Sequence, residues 1–304
     1  MKAIRAARAS SGRGRIMMST GAYHGSHDGV SPDAGIPAAM IELVTLFRYN
    51  DEDSFRTTFR KNKDELGAVL VEGVLGAAGS VPPTRTFLEV VREETERHGV
   101  PLIFDEVVTG FRLARGGISE RFQVKPDLVI LGKIIGGGFP VGAFLGPEEI
   151  MSAYGYPDAE FPLIGKPRIR DAGTFNAHPV TMAAGLATLN LLTPDAYQHL
   201  EEFGDNIRKM LSELGDEHKI PHCLTGLGSM WRFHFTQEKV NDYESGKASD
   251  ERKERLWDAL MLTHGVSLPV FHTAFCSTPM AKTELVRFQS AANASFMEMR
   301  SRQG

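Results

Sequence analysis

The chain has 304 residues, 42% of them hydrophobic and 24% charged, enough apolar mass for one large domain with a smaller one beside it. Lys plus Arg number 34 against 38 Asp plus Glu, and the net charge of −4 supplies no electrostatic reason for a nucleic-acid partner. Two cysteines, Cys223 and Cys276, do not make a disulfide framework, and no apolar run is long enough to span a bilayer, so a cytoplasmic protein with no membrane partner is expected.

The N-terminus carries Lys2, Arg5, Arg8, Arg13 and Arg15 with no acidic residue among them. That composition suits a transit peptide, or one face of a helix running into the turn Ser11-Gly12-Arg13-Gly14; the helix is the favoured reading. Ala68 to Glu72 is a short apolar run, as a buried parallel strand should be. Gly73 to Pro83 reads as a loop. Thr84 to His98 reads as a helix with Phe87, Val90, Val91 and Thr95 on one face, stopped by Gly99.

Val100 to Phe104 is the next strand and ends at Asp105-Glu106. Asp127 to Leu131 is another, ending at Gly132-Lys133, and Val141 to Leu145 a further one. This alternation predicts an α/β fold with a mainly parallel sheet covered by helices. Val180 to Leu192 reads as an Ala-rich helix, and Thr193-Pro194 opens a second one reaching about Leu214. A strand at Ser229 to Phe235, a helix near Glu251 to Thr263 and a tail helix follow. The predicted boundary divides a large domain, 1–190, from a smaller α+β domain, 191–304.

Asp105 and Lys133 carry the chemical signal. Each sits just past the carboxyl end of a predicted parallel strand, where open α/β sheets bind ligands. Pyridoxal phosphate needs such a pair: an amine to form a Schiff base with its aldehyde, and a carboxylate to face its ring nitrogen. A lysine that also shuttles protons must be partly neutral, so a lowered pKa is expected for it. The plain alternative is a solvated strand end and a surface lysine. Against it, Lys133 lies between an apolar strand and Gly136-Gly137-Gly138, glycines expected to let backbone approach a ligand.

Gly132-Lys133 is not a P-loop, because Ile134 stands where Ser or Thr is required, and the glycine runs do not form a dinucleotide fingerprint. His24, His27 and Asp28 are conceivable metal ligands. The favoured reading is that no metal is held and that Tyr23 lies flat on an aromatic cofactor with His24 beside it. Gly173-Thr174 is a plausible phosphate contact through a hydroxyl and an N–H.

The segment Leu102-Ile103-Phe104-Asp105-Glu106-Val107-Val108-Thr109-Gly110-Phe111-Arg112 resembles the core motif of class-III aminotransferases. Its Gly-Phe-Arg ending resembles the glutamate-1-semialdehyde aminomutase branch. The run from Pro126 through Lys133 to Ala143 is similar to that family's lysine segment. Tyr23-His24-Gly25, Tyr49-Asn50-Asp51, Val71-Glu72, Gly173-Thr174-Phe175 and Met182-Ala183-Ala184-Gly185 follow the family order.

The resemblance implies a fold-type I homodimer with active sites at the subunit interface, acting on small-molecule amino donors and acceptors. It makes Lys133 the Schiff-base lysine and Asp105 the partner of the pyridine nitrogen. Val107 and Tyr23 would cover the two ring faces, Thr174 would reach the phosphate of the neighbouring subunit's cofactor, and Glu72 would lie on the substrate side. Gly73 departs from the family's usual proline, and Gly76-Ala77-Ala78-Gly79 lacks its asparagine. Met1 aligns just inside a helix that in the family begins with a phosphate cup, so the chain is expected to be N-terminally truncated, with weakened cofactor binding and exposed apolar surface. The implied activity is aminomutase-like amino transfer. A β-amino-acid transaminase, which Thr225-Gly226-Leu227-Gly228-Ser229-Met230 and the insert 242–252 resemble, and a remnant that binds no cofactor are the alternatives, and a metal-dependent hydrolase ranks third. Arg112, Arg168 and Arg170 are the arginines available to clamp a substrate carboxylate.

Overall fold

A computed structural model describes residues 1–31, 34–154, 169, 171–269 and 273–302. Arg168 and Arg170 lie outside the described residues. The chain forms two compact units, Met1–Gly73 with Thr84–Leu191, and Val74–Pro83 with Leu192–Gly304.

The first unit opens with α1 (Lys2–Ser11), which buries Ala3, Ile4, Ala6 and Ala7 and stops at Gly12, where φ is 69°. The basic start is therefore a helix with a small apolar stripe and a left-handed terminus that glycine favours. β1 (Arg15–Ser19), α2 (Ala38–Ile41), β2 (Val44–Phe47) and α3 (Glu52–Asn62) follow. Asp51 caps α3 by accepting from Ser54 N at 2.8 Å. β3 (Leu66–Glu72) is buried along its whole length. α4 (Arg85–Arg97) is capped by Thr84, whose Oγ1 accepts from Phe87 N at 3.1 Å. β4 (Leu102–Asp105), α5 (Gly117–Phe122), β5 (Leu128–Gly132), a 3-10 turn at Lys133–Gly136, β6 (Gly142–Leu145), α6 (Glu148–Met151) and α7 (Pro179–Leu191) complete the unit.

The sheet order is β2-β1-β3-β4-β5-β6. The neighbours from β2 to β5 pair in parallel and β6 pairs antiparallel to β5. Ile16, Met18, Ala68, Leu70, Ile103 and Leu128 pack with α1 on one face. On the helix side of α3 and α4, Phe47, Phe55 and Phe87 meet, with Phe47 and Phe55 centroids 5.1 Å apart in an edge-to-face pair. The chain leaves β1 for β2 on one side, while β3 lies on the other. That reversal makes the carboxyl ends of β1 and β3 a topological switch point, where a crevice opens.

The second unit contains α8 (Pro194–Glu217), β7 (Cys223–Thr225), β8 (Met230–His234), α9 (Tyr243–Gly246), α10 (Glu251–Thr263), β9 (Ala274–Phe275) and α11 (Lys282–Ser301). Its strands form an antiparallel sheet in the order β7-β8-β9. Phe233, Trp257 and Phe296 centre its core, with ring centroids 5.2–5.9 Å apart. Val74–Pro83, a loop by sequence, belongs to this unit: Gly76 O accepts from Thr273 Oγ1 at 2.7 Å, and Gly79 O accepts from Thr225 Oγ1 at 2.5 Å.

Candidate active site

The site is built at the carboxyl ends of β1, β3, β4 and β5. Register pairs Glu72 with Asp105 across β3 and β4, so two acids end side by side. The loop after β1 crosses above them. Tyr23 N donates to Glu72 Oε1 at 2.5 Å, and His24 Nδ1 meets Asp105 Oδ2 at 2.8 Å. Below, the buried Tyr49 donates its hydroxyl to Glu72 O at 3.0 Å. Burial first, and the Glu72 charge second, push the Tyr49 phenol well above its ordinary value, so it stays a donor.

Asp105 is 8% exposed and its carboxylate is held at both oxygens, by His24 on Oδ2 and by Val107 N on Oδ1 at 3.1 Å. The His24 side chain is 1% exposed, so its imidazole is buried against Asp105. The Tyr23 ring is exposed. Val107 is half-buried, and a Cβ built on Gly132 would lie 3.3 Å from its Cγ1. Val107 therefore covers the residue that precedes Lys133.

Lys133 is exposed, immediately beyond β5, with φ 48°. A non-glycine in the left-handed region costs about 1 kcal/mol or more and is held only where surrounding structure demands it. Here Gly132 before it is extended, and the 3-10 turn Lys133–Gly136 follows at once. Within the chain, Gly137 serves that turn by letting it approach another helix, while Gly138 faces open space. A Cβ on Gly137 would lie 2.3 Å from Ala184 O, and one on Gly185 would lie 2.1 Å from Ile135 O. These glycines let the lysine turn and α7 meet backbone to backbone.

Thr174 is exposed in the turn before α7 and, among the described residues, makes no hydrogen bond to Glu72, Asp105 or Lys133. Arg112 folds back on its own loop, Nε donating to Val108 O at 3.2 Å. Around His27, Nδ1 accepts from Gly29 N at 3.2 Å. Burial, followed by nearby cations including Arg8, lowers the His27 imidazole to about 4. Among the described residues no group of three His, Cys, Asp or Glu side chains is arranged to hold a metal.

Sequence reasoning missed Glu106. It accepts hydrogen bonds from Thr109 Oγ1 at 2.6 Å and Ile118 N at 2.8 Å. Burial raises its carboxyl pKa, and these donors partly oppose that rise. The available signal was the pair Gly116-Gly117, which frees the α5 N-terminus to approach an acid closely.

An exposed amine, a carboxylate fixed at both oxygens and an apolar side chain between them form the donor set that pyridoxal phosphate requires, and these residues fit it. A model of the class-III aminotransferase family matches residues 1–283. The glutamate-1-semialdehyde 2,1-aminomutase of Methanocaldococcus jannaschii is 38% identical over 291 residues, which are 91% of this chain and 66% of that protein. An omega-transaminase from Sphaerobacter thermophilus superposes with a TM-score of 0.90 at 34% identity, covering 99% of this chain and 72% of the other. A transaminase solved with pyridoxal phosphate bound superposes with a TM-score of 0.88 at 28% identity, covering 99% and 71%. The chain thus spans about two thirds of the length of the relatives it matches. With this fold, this site and a match reaching from residue 1 to residue 283, the chain belongs to the class-III aminotransferases, a pyridoxal-phosphate family of fold-type I.

Proposed function

We propose that the chain moves an amino group between small molecules with pyridoxal phosphate, in the manner of the glutamate-1-semialdehyde 2,1-aminomutases it resembles. The observation that carries this is the convergence of Asp105 and Lys133 at the ends of neighbouring strands, with Val107 between them. When bound, the cofactor supplies an aldehyde that condenses with amines and a ring that accepts the electron pair released at the substrate's α-carbon.

The protein's own groups do the rest. Lys133 Nζ would hold the cofactor's aldehyde and, when free, would take and return the α-proton. Asp105 keeps a proton at the ring nitrogen through its negative charge. The N–H of Val107 anchors one Asp105 oxygen and His24 anchors the other, so His24 acts through Asp105. Val107 and Tyr23 would flank the ring, and Glu72 would border the substrate side. Thr174 serves the phosphate of a second subunit's cofactor, which makes the working form a homodimer. The exposure of Phe175, Val180, Met182, Leu186 and Leu191 supports that reading, since α7 and the turn before it carry apolar side chains in need of cover.

The test is reduction by borohydride of protein incubated with pyridoxal phosphate, followed by peptide mapping, with Lys133→Ala alongside. Cofactor trapped on Lys133, and absent from the variant, is the expected result. No trapping in either protein overturns the proposal and favours a remnant that binds no cofactor. Isomerisation of glutamate-1-semialdehyde without an added acceptor then marks the aminomutase. Dependence on a β-amino acid and an added oxo acid marks the transaminase alternative.

A further inference from the structure

Glu106 follows Asp105 and belongs to none of the groups assigned above to cofactor or substrate. It is 1% exposed, which a carboxylate tolerates only with donors around it. Thr109 Oγ1 donates to Oε2 at 2.6 Å. Ile118 N donates to Oε1 at 2.8 Å and to Oε2 at 3.0 Å, and Ser119 N adds a longer contact of 3.4 Å. The backbone joins in, with Glu106 N donating to Ile130 O at 2.9 Å and Gly110 N donating to Glu106 O at 2.8 Å. One residue therefore ties β4 and β5 to both ends of the loop 107–117.

The loop is shaped around this side chain. Gly117 has φ 62°, and a Cβ there would lie 2.4–2.6 Å from the Glu106 carboxylate atoms. Any other residue would be strained twice, by conformation and by contact. The loop begins with Val107, whose N–H holds Asp105 Oδ1 and whose methyl group covers Gly132.

We infer that Glu106 is a positioning residue for the amino-transfer site, clamping loop 107–117 so that Val107 stays hydrogen-bonded to Asp105 and seated over the residue before Lys133. The inference rests on the cofactor roles proposed for Asp105, Val107 and Lys133. Glu106 acts through Val107 and Asp105, without touching the reacting atoms.

The test pairs Glu106→Leu, which keeps bulk and removes every acceptor, with Glu106→Gln, which keeps an oxygen for Ile118 N and a group that the Thr109 hydroxyl can pair with. In the cofactor-free chain, amide hydrogen exchange is followed across the first unit. For E106L the amides of 107–118 are expected to exchange roughly tenfold faster, while those of α1 and β3 keep their protection. In chain loaded with pyridoxal phosphate, the pH midpoint of the bound absorbance band is expected to move, because Asp105 is less well held. E106Q is expected to return both readouts toward wild type. Unchanged loop exchange, an equal rise throughout the unit, an unmoved midpoint or equal losses in E106Q and E106L each overturn the clamp. If E106L does not fold, Thr109→Val removes one donor at constant shape, and unchanged loop exchange in it overturns the clamp as well. Failure of wild type to trap cofactor on Lys133 counts against the proposed function alone, and the exchange measurement then decides the clamp by itself.

Discussion

Gly73 stands where the resembling family carries proline, and its surroundings account for the difference. A Cβ there would lie 2.3 Å from Ile118 Cγ1 and 2.6 Å from Thr109 Oγ1. Both contacts belong to the loop that Glu106 organises, so the glycine and the loop are one packing solution. Gly73→Ala is expected to lower stability by about 2 kcal/mol through overpacking, read as a lower midpoint in urea. His27 makes a pH prediction. Its folded-state imidazole lies at about 4, lowered chiefly by burial, against an ordinary 6.5. As pH falls through that window the unfolded chain takes up a proton that the native chain does not, so stability is lost between about 6.5 and 4. His27→Gln should flatten the pH dependence there, and an unchanged slope in acid titration of unfolding would refute the assignment.

Elements hold together here largely by aromatic and aliphatic faces, with ion pairs such as Arg56–Glu94 between α3 and α4 beside them. α3 and α4 meet the sheet through Phe55, Phe59 and Phe87, all fully buried. Phe87 alone lies within 6.4 Å, centroid to centroid, of Phe47, Tyr49 and Phe55. Phe87→Ala is expected to cost about 3–5 kcal/mol, and thermal unfolding of the variant checks it. The helices were legible where their caps were. Thr84 before α4 and Thr193-Pro194 before α8 mark starts that the structure keeps. Four elements near the front, β1, α2, β2 and α3, were not read from sequence. β1 is five residues long and opens with Arg15, whose guanidinium pairs with Glu65, so its strand character comes from parallel partners on both sides rather than from its own pattern.

At the scale of the whole molecule, α7 is the feature that asks for a partner. Leu186 and Leu191 are 63% and 74% exposed, Phe175 in the turn before the helix is 77% exposed, and the helix has no polar face to turn outward. If these residues meet a second copy, Leu186→Lys should convert dimer to monomer in sedimentation, because a buried charge without a partner is costly at an interface. It should also weaken cofactor retention, since Thr174 sits in the turn that leads into this helix. A wild-type chain that sediments as a monomer would reject the proposed assembly.

The motifs Asp105-Glu106-Val107 and Gly132-Lys133 made the family, the cofactor chemistry and the parallel core strands readable, because strand ends and glycine turns are local events written in consecutive residues. Register and side-chain direction were not readable. That His24 meets Asp105 depends on how the loop after β1 crosses β3 and β4. Whether Glu106 is a solvated strand end or a buried clamp depends on α5, twelve residues further on, presenting Ile118 N to it. The glycines after Lys133 carry the same lesson. Sequence shows that backbone can come close to something there, and only the packed chain shows that Gly137 meets α7, because close approach is a property of two segments and one segment's residues do not name the other.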